Sequence, residues 1–167
     1  MKCNTHTFCS GRSGFTLVEV VISSAVAVVV LVVALSVFIS CFKSWHGIEL
    51  RMDADRDVNM AMSHMVYGMG SQYGLRAASV VTLTSVFNGW TLSYTTGGSA
   101  PQTNSFTYST TSSNLVFNPG SQIAGKNLSY AQALVGTDSV VVTLRVDRVD
   151  GTLQVRRELG TEISWRN

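Results

Sequence analysis

From Val20 to Phe42 the chain carries no charged side chain, and its only polar groups are Ser23, Ser24, Ser36, Ser40 and the thiol of Cys41. This run exceeds the roughly 20 apolar residues that a helix needs to cross a bilayer. Lys2 and Arg12 precede it, and Lys43 and Trp45 follow it, which suits cationic and amphipathic residues at a membrane–water interface. The pattern predicts a membrane-spanning helix with its N-terminus in the cytoplasm.

Beyond the run, Trp45, Ile48, Met52, Val58, Met62, Met65 and Met69 mostly follow three-to-four-residue steps, so the helix is expected to continue with an apolar stripe able to pack on a sheet. Asp55 interrupts the stripe, and Gly68, Gly70 and Gly74 supply stop signals. A helix from Phe15 to about Met69 would be on the order of 80 Å long at 1.5 Å per residue. The methionines at 60, 62, 65 and 69 read as core packing rather than a copper or haem site, because Met commonly fills core gaps.

After residue 72 the periodicity changes from helical to alternating. Val140, Val142, Leu144 and Val146 alternate with Val141, Thr143, Arg145 and Asp147, giving one apolar and one mainly polar face. Asn88-Gly89, between Val80–Phe87 and Trp90–Tyr94, and Asp150-Gly151, between Val140–Arg148 and Thr152–Leu159, are two-residue hairpin signals. Weaker strands are expected around Ser105–Ser109, Leu115–Phe117 and Glu162–Trp165, a loop over Gly97–Asn104, and a turn at Asn118-Pro119-Gly120. One long helix packed on an antiparallel β-sheet is an α+β arrangement.

Composition narrows the function classes. The 167 residues hold 12 Lys plus Arg against 10 Asp plus Glu and only two prolines, which suits one domain-sized unit and excludes a disordered, acidic or collagenous chain. No basic run provides the clustered phosphate contacts that a nucleic-acid binder needs. Enzyme signatures are lacking too: there is no Gly-x-Ser-x-Gly, phosphate-binding glycine loop or His-Glu-x-x-His, and the histidines are His6, His46 and His64. Asp53, Asp55 and Asp57 point in different directions on a helix and read as a solvated charged face. Asp138, Asp147 and Asp150 read as exposed turn carboxylates, with a weak cation site in the β domain left open. Cys3-x-x-His6-x-x-Cys9 lacks the fourth ligand of a structural metal site. No cofactor is expected.

Three readings compete for the N-terminus. A secretory signal has a shorter apolar core, about 7 to 15 residues, and the charge of Glu19 near the start does not suit one. Phe38-Ile39-Ser40-Cys41 is a loose lipobox that would make a lipidated, membrane-anchored binding module starting at Cys41. The third reading rests on Gly11-Arg12-Ser13-Gly14-Phe15-Thr16-Leu17-Val18-Glu19-Val20. This segment resembles the prepilin cleavage and methylation motif of type IV pilins and type II secretion pseudopilins.

That resemblance implies cleavage by a prepilin peptidase between Gly14 and Phe15, on the cytoplasmic side, and methylation of the new amine of Phe15. It also implies that Glu19 meets the N-terminal amine of a neighbouring subunit and sets register during assembly. The residues suit these roles on physical grounds. Gly14 has no side chain, so a protease can approach its carbonyl and the leader can extend. A carboxylate at Glu19 costs up to about 2.5–3.5 kcal/mol at mid-membrane and less near the interface, so it calls for a partner. An opposite charge across a low-dielectric core supplies one. The macrodipole at a helix N-terminus is the simpler alternative.

The resemblance divides the chain into a leader at 1–14, a transmembrane and assembly helix at 15–42, an amphipathic second half at 43–72 and a β-rich periplasmic domain at 73–167. Losing the leader leaves 10 basic against 10 acidic side chains and Cys41 as the sole cysteine, so the C-terminal disulfide loop common in adhesive major pilins has no counterpart. Ser36 stands where many major pilins carry a helix-kinking proline. These departures, with a Glu162–Asn167 ending similar to the final strand of many pseudopilins, point to a minor pseudopilin, with the J-like kind as the subtype it resembles, over a minor pilin for DNA uptake or adhesion. The implied partners are other pilin or pseudopilin subunits, the peptidase and methyltransferase, an inner-membrane assembly platform and membrane lipid.

Overall fold

A computed structural model describes residues 14–97 and 99–165. The Cys3, His6 and Cys9 cluster, Lys2 and Arg12 of the leader, and the terminal Arg166 and Asn167 lie outside the described residues. The chain divides into two compact units, one ending at Trp45 and one starting at His46.

Helix α1 runs from Leu17 to Tyr67, 51 residues. Thr16 starts it as an N-cap: the N–H of Glu19 donates to Thr16 Oγ1 at 3.3 Å and the N–H of Val20 to the Thr16 carbonyl at 3.2 Å. Thr-x-x-Glu is the spacing of a capping box, in which the cap hydroxyl satisfies one of the helix's free N–H groups. At the other end Gly68 and Gly70 take positive φ of 97° and 60°, where only glycine fits without strain. Every residue from Gly14 to Trp45 is exposed.

In the second unit the helix buries Ala54, Val58, Ala61, Met62 and Met65. Trp45, Ile48 and Met52, assigned above to the packing stripe, are instead 74%, 58% and 67% exposed, and Met60 is 43% exposed. The reason is angular. The six helical steps from Met52 to Val58 leave Val58 about 240° round the helix from Met52, so the two halves of the supposed stripe lie on different faces. Asp55 marks the crossover, and the helix runs unbroken through it.

Among the described residues, eight strands follow. β1 (Ala78–Val86), β2 (Gly89–Thr96), β3 (Thr103–Ser109), β4 (Asn114–Asn118) and β5 (Gln122–Gly125) form an antiparallel sheet in chain order. β6 (Tyr130–Val135), β7 (Ser139–Asp150) and β8 (Leu153–Ser164) form a second one. The fold is α+β, with the helix packed against antiparallel sheets, two rather than one. On β7, Val140, Val142, Leu144 and Val146 are fully buried, as the alternation requires.

Both hairpin loops sit one residue away from the expected dipeptide. Val86 pairs with Gly89, so the first loop is Phe87-Asn88, and Asp150 pairs with Leu153, so the second is Gly151-Thr152. Gly89 is needed for a different reason from a left-handed turn, since a Cβ there would collide with the carbonyl oxygen of Tyr108 on β3. The expected Thr152–Leu159 and Glu162–Trp165 strands are one strand, β8, and β3 begins at Thr103, inside the stretch read as loop. β5 and β6 were not expected. β5 is four residues long, and the buried side chains of β6 are only Ala131 and Ala133, too small to leave a strong apolar alternation.

Candidate membrane-anchoring and assembly site

Gly14 and Phe15 precede the helix, and Glu19 occupies its third position, with Phe15 79% exposed. A Cβ placed on Gly14 would meet nothing within 4 Å among the described residues. Thr16 is the residue the sequence reading passed over: its hydroxyl fixes where the helix begins, two residues after Phe15, and so fixes Glu19 in the first turn. The signal was available as Thr16-x-x-Glu19 ahead of an apolar run. A carboxylate in the first turn also meets the positive end of the macrodipole.

The apolar run that follows is chemically suited to lipid. Three of its four serine hydroxyls are satisfied within the helix: Ser24 Oγ donates to the Val21 carbonyl at 2.9 Å, Ser36 to Val33 at 2.8 Å and Ser40 to Ser36 at 2.9 Å. In hydrocarbon, where no water can substitute, such internal pairing removes the cost of a bare hydroxyl. The helix is long and apolar enough to cross a membrane, and its most apolar stretch has nothing packed over it. At its far end Phe38 and Phe42 stack at 6.4 Å between ring centres beside the exposed Cys41. The helix continues through Phe38–Cys41 without a break.

Of the three aspartates read as a solvated face, Asp53 is exposed, but Asp55 and Asp57 are tied to the sheet. Asp57 meets Arg148 of β7 and is 13% exposed at its side chain, and Asp55 meets Arg157 of β8 at 2.9 Å. Those arginines lie more than ninety residues away in sequence, so only folding brings them to the helix. The carboxylates near the last hairpin are likewise matched to cations rather than gathered. Asp147 accepts from Arg156 Nε at 3.0 Å, and Asp150 accepts from His46 Nε2. Partial burial works against the charge on Asp147, but the hydrogen bond from Arg156 and the charge of Arg145 outweigh it and hold the carboxyl below its usual range. The hydrogen bond to Asp150 raises the pKa of His46 above the ordinary imidazole value. His64 is used structurally, its Nδ1 lying 2.8 Å from the Ala124 carbonyl. Among the described residues no group of three or more His, Cys, Asp or Glu is placed to hold a metal ion.

With this geometry in view, residues 9–35 match a family model described as the prokaryotic N-terminal methylation motif. The chain carries that motif. It is the signature of type IV pilins and pseudopilins, and it spans Gly14, Phe15, the Thr16 cap, Glu19 and much of the apolar helix. Comparison with curated proteins and with solved structures returns no match. The methylation motif therefore supports a type IV pilin-like or pseudopilin subunit, anchored by its helix and assembled with other such subunits after prepilin processing.

Proposed function

We propose that the chain is a minor pseudopilin, with the J-like kind as its finer assignment: a structural subunit of a type II secretion-type or type IV pilus-like filament in the bacterial inner membrane. Prepilin peptidase would cut between Gly14 and Phe15 in the cytoplasm, and methylation of the Phe15 amine would follow. The β domain would project outside the cytoplasm and supply lateral or tip contacts, and the chain would perform no chemistry of its own. The observation that carries this reading is the methylation motif at residues 9–35 running into an uncovered apolar helix with a carboxylate in its first turn.

Glu19 is assigned the register role. On entering a filament its carboxylate would leave the interface for a drier environment, where the Phe15 amine of a neighbour offsets the cost. The Thr16 cap supports this, because a helix start fixed at one residue also fixes the axial position of Glu19. Intact-mass and fragment-ion analysis of protein isolated from its native membrane tests the proposal. The expected result is a chain beginning at methylated Phe15; an uncleaved chain, or one beginning at lipidated Cys41, would overturn it in favour of an anchored binding module.

A further inference from the structure

Strand β8 is an edge of the second sheet. Its 12 residues pair with β7 without a register shift, and among the described residues no strand lies on its other side. A free edge presents N–H and C=O groups able to bond a further strand, and folds usually blunt it with a bulge, a proline or an inward-pointing charge. β8 has neither proline nor bulge. Arg157, the one charge on its inward face, is already matched by Asp55 of helix α1 at 2.9 Å.

Gly160 supplies a second observation. It sits in mid-strand, where glycine weakens a sheet, and its own chain gives no reason for it. Its φ is not left-handed, and an added Cβ would lie in ordinary contact, 3.6 Å from Thr143 Oγ1. Glycine inside a regular strand suits the close approach of another backbone.

The residues of the edge say which backbone. Antiparallel pairing of β8 with a second copy, centred on Leu159, sets Arg156 opposite Glu162 twice, because the relation is mutual. The same register sets Val155 opposite Ile163, Leu159 opposite Leu159, Arg157 opposite Thr161 and Glu158 opposite Gly160. Val155, Leu159 and Ile163 share the inward face, and Arg156, Glu158 and Glu162 the outward one. Shifting the register by two residues brings Glu158 opposite itself in one direction and opposite Glu162 in the other, a like-charge contact straight across the ladder. Within one copy, Arg145 and Arg156 share Asp147 at 3.5 and 3.0 Å, while Glu162 enters no ion pair among the described residues. The outward face of one strand thus holds a carboxylate and a surplus guanidinium, each complementary to the other in a second copy.

We propose that β8 is a homodimer interface: two copies join their second sheets antiparallel along β8, about a two-fold axis at Leu159, into one continuous sheet. Residues 154–164 would face each other and supply about ten to twelve ladder hydrogen bonds. The inference goes beyond the pseudopilin reading and does not rest on it, since every residue used belongs to the second compact unit.

The test uses the full chain in detergent micelles, with Cys3, Cys9 and Cys41 replaced by serine. Leu159→Cys or Gln154→Cys is added, and a mild oxidant is applied. The proposed register places the two copies of residue 159 opposite one another and the two copies of residue 154 about 34 Å apart at 3.4 Å per residue. A disulfide-linked dimer is therefore expected from Leu159→Cys and not from Gln154→Cys. Glu162→Arg and Arg156→Glu, each checked for folding by circular dichroism, both set like charges opposite one another. Each is expected to weaken the dimer about tenfold in sedimentation equilibrium. Mixed together, the two variants should restore it, because each supplies the charge that the other lacks. A wild-type chain that sediments as a monomer overturns the proposal. Cross-linking at residue 154 as readily as at 159, or a dimer indifferent to Glu162→Arg, assigns association to another surface and overturns it too.

Discussion

The indole N–H of Trp90 on β2 donates to the carbonyl of Ala131 on β6 over 2.8 Å, a buried hydrogen bond between the two sheets. Beside it, Tyr108 on β3 donates its hydroxyl to the Leu128 carbonyl at 3.2 Å, just before β6. The rings of Trp90 and Tyr108 lie 6.0 Å apart. Sheet one thus contributes aromatic bulk to the core, and its polar tips satisfy carbonyls at the entry to sheet two. Burial pushes the Tyr108 phenol above its usual pKa, which keeps it a donor across the working pH range.

Trp90→Phe keeps most of the ring and removes the donor. The Ala131 carbonyl then loses its partner, and the expected loss of stability is about 1–3 kcal/mol. Urea denaturation of the detergent-solubilised chain checks this; an unchanged midpoint would show that the hydrogen bond contributes nothing net.

The Asp57–Arg148 pair ties helix α1 to β7, with both side chains partly buried. Asp57→Ala leaves a partly buried guanidinium without its carboxylate and is expected to cost about 1–3 kcal/mol, less than breaking a fully buried pair. A double-mutant cycle with Arg148→Ala should give a coupling energy within about 0.5–3 kcal/mol, whereas simple additivity would mean the two residues act independently.

His46 has a raised pKa in the folded chain because it donates to Asp150. The protonated form is favoured by folding, so the pair's stabilisation is fully present below the unfolded value of 6.5 and is lost as pH rises through the folded value. The stability difference between wild type and His46→Gln should therefore be largest in mild acid and shrink above neutrality. Stability curves at several pH values, with an NMR titration of the His46 ring, would detect the opposite trend.

Gly125 packs against the helix: an added Cβ would lie 2.5 Å from the Ala61 Cβ, at a fully buried position. Neither partner can rotate away, so Gly125→Val should cost about 1–3 kcal/mol through overpacking. Thermal unfolding measures this, and Ala61→Gly in the same chain should recover part of the loss.

Glu19→Leu should still insert in the membrane, because it makes the helix more apolar, but should assemble poorly if the carboxylate sets register. Cross-linking and filament pull-down report incorporation directly. Incorporation at the wild-type level would rule out the register role while leaving prepilin processing untouched.

The elements most legible in the sequence were those specified by local chemistry. An uncharged run of 23 residues, Val20–Phe42, needs no tertiary partner to be read as a helix for lipid, and Gly14, Phe15 and Glu19 stand at fixed spacing ahead of it. β7 was equally plain, because β-branched residues alternate along it. The helix face that meets the sheets was not legible. Trp45, Ile48 and Met52 are as apolar as Val58, Met62 and Met65, and only the sheets determine which group is covered. β6 was missed because Ala131 and Ala133 are buried by fit rather than by hydrophobicity.

The sequence by itself determined the anchor, the processing motif and the α+β class, since each depends on residues close together along the chain. Tertiary structure decided which carboxylates are neutralised and by what. Asp55, Asp57 and Asp150 look alike in sequence, yet they are assigned to Arg157, Arg148 and His46 by contacts spanning about 90 to 104 residues. Charge pairing over such distances follows from how the strands are laid against the helix, and no local pattern encodes it.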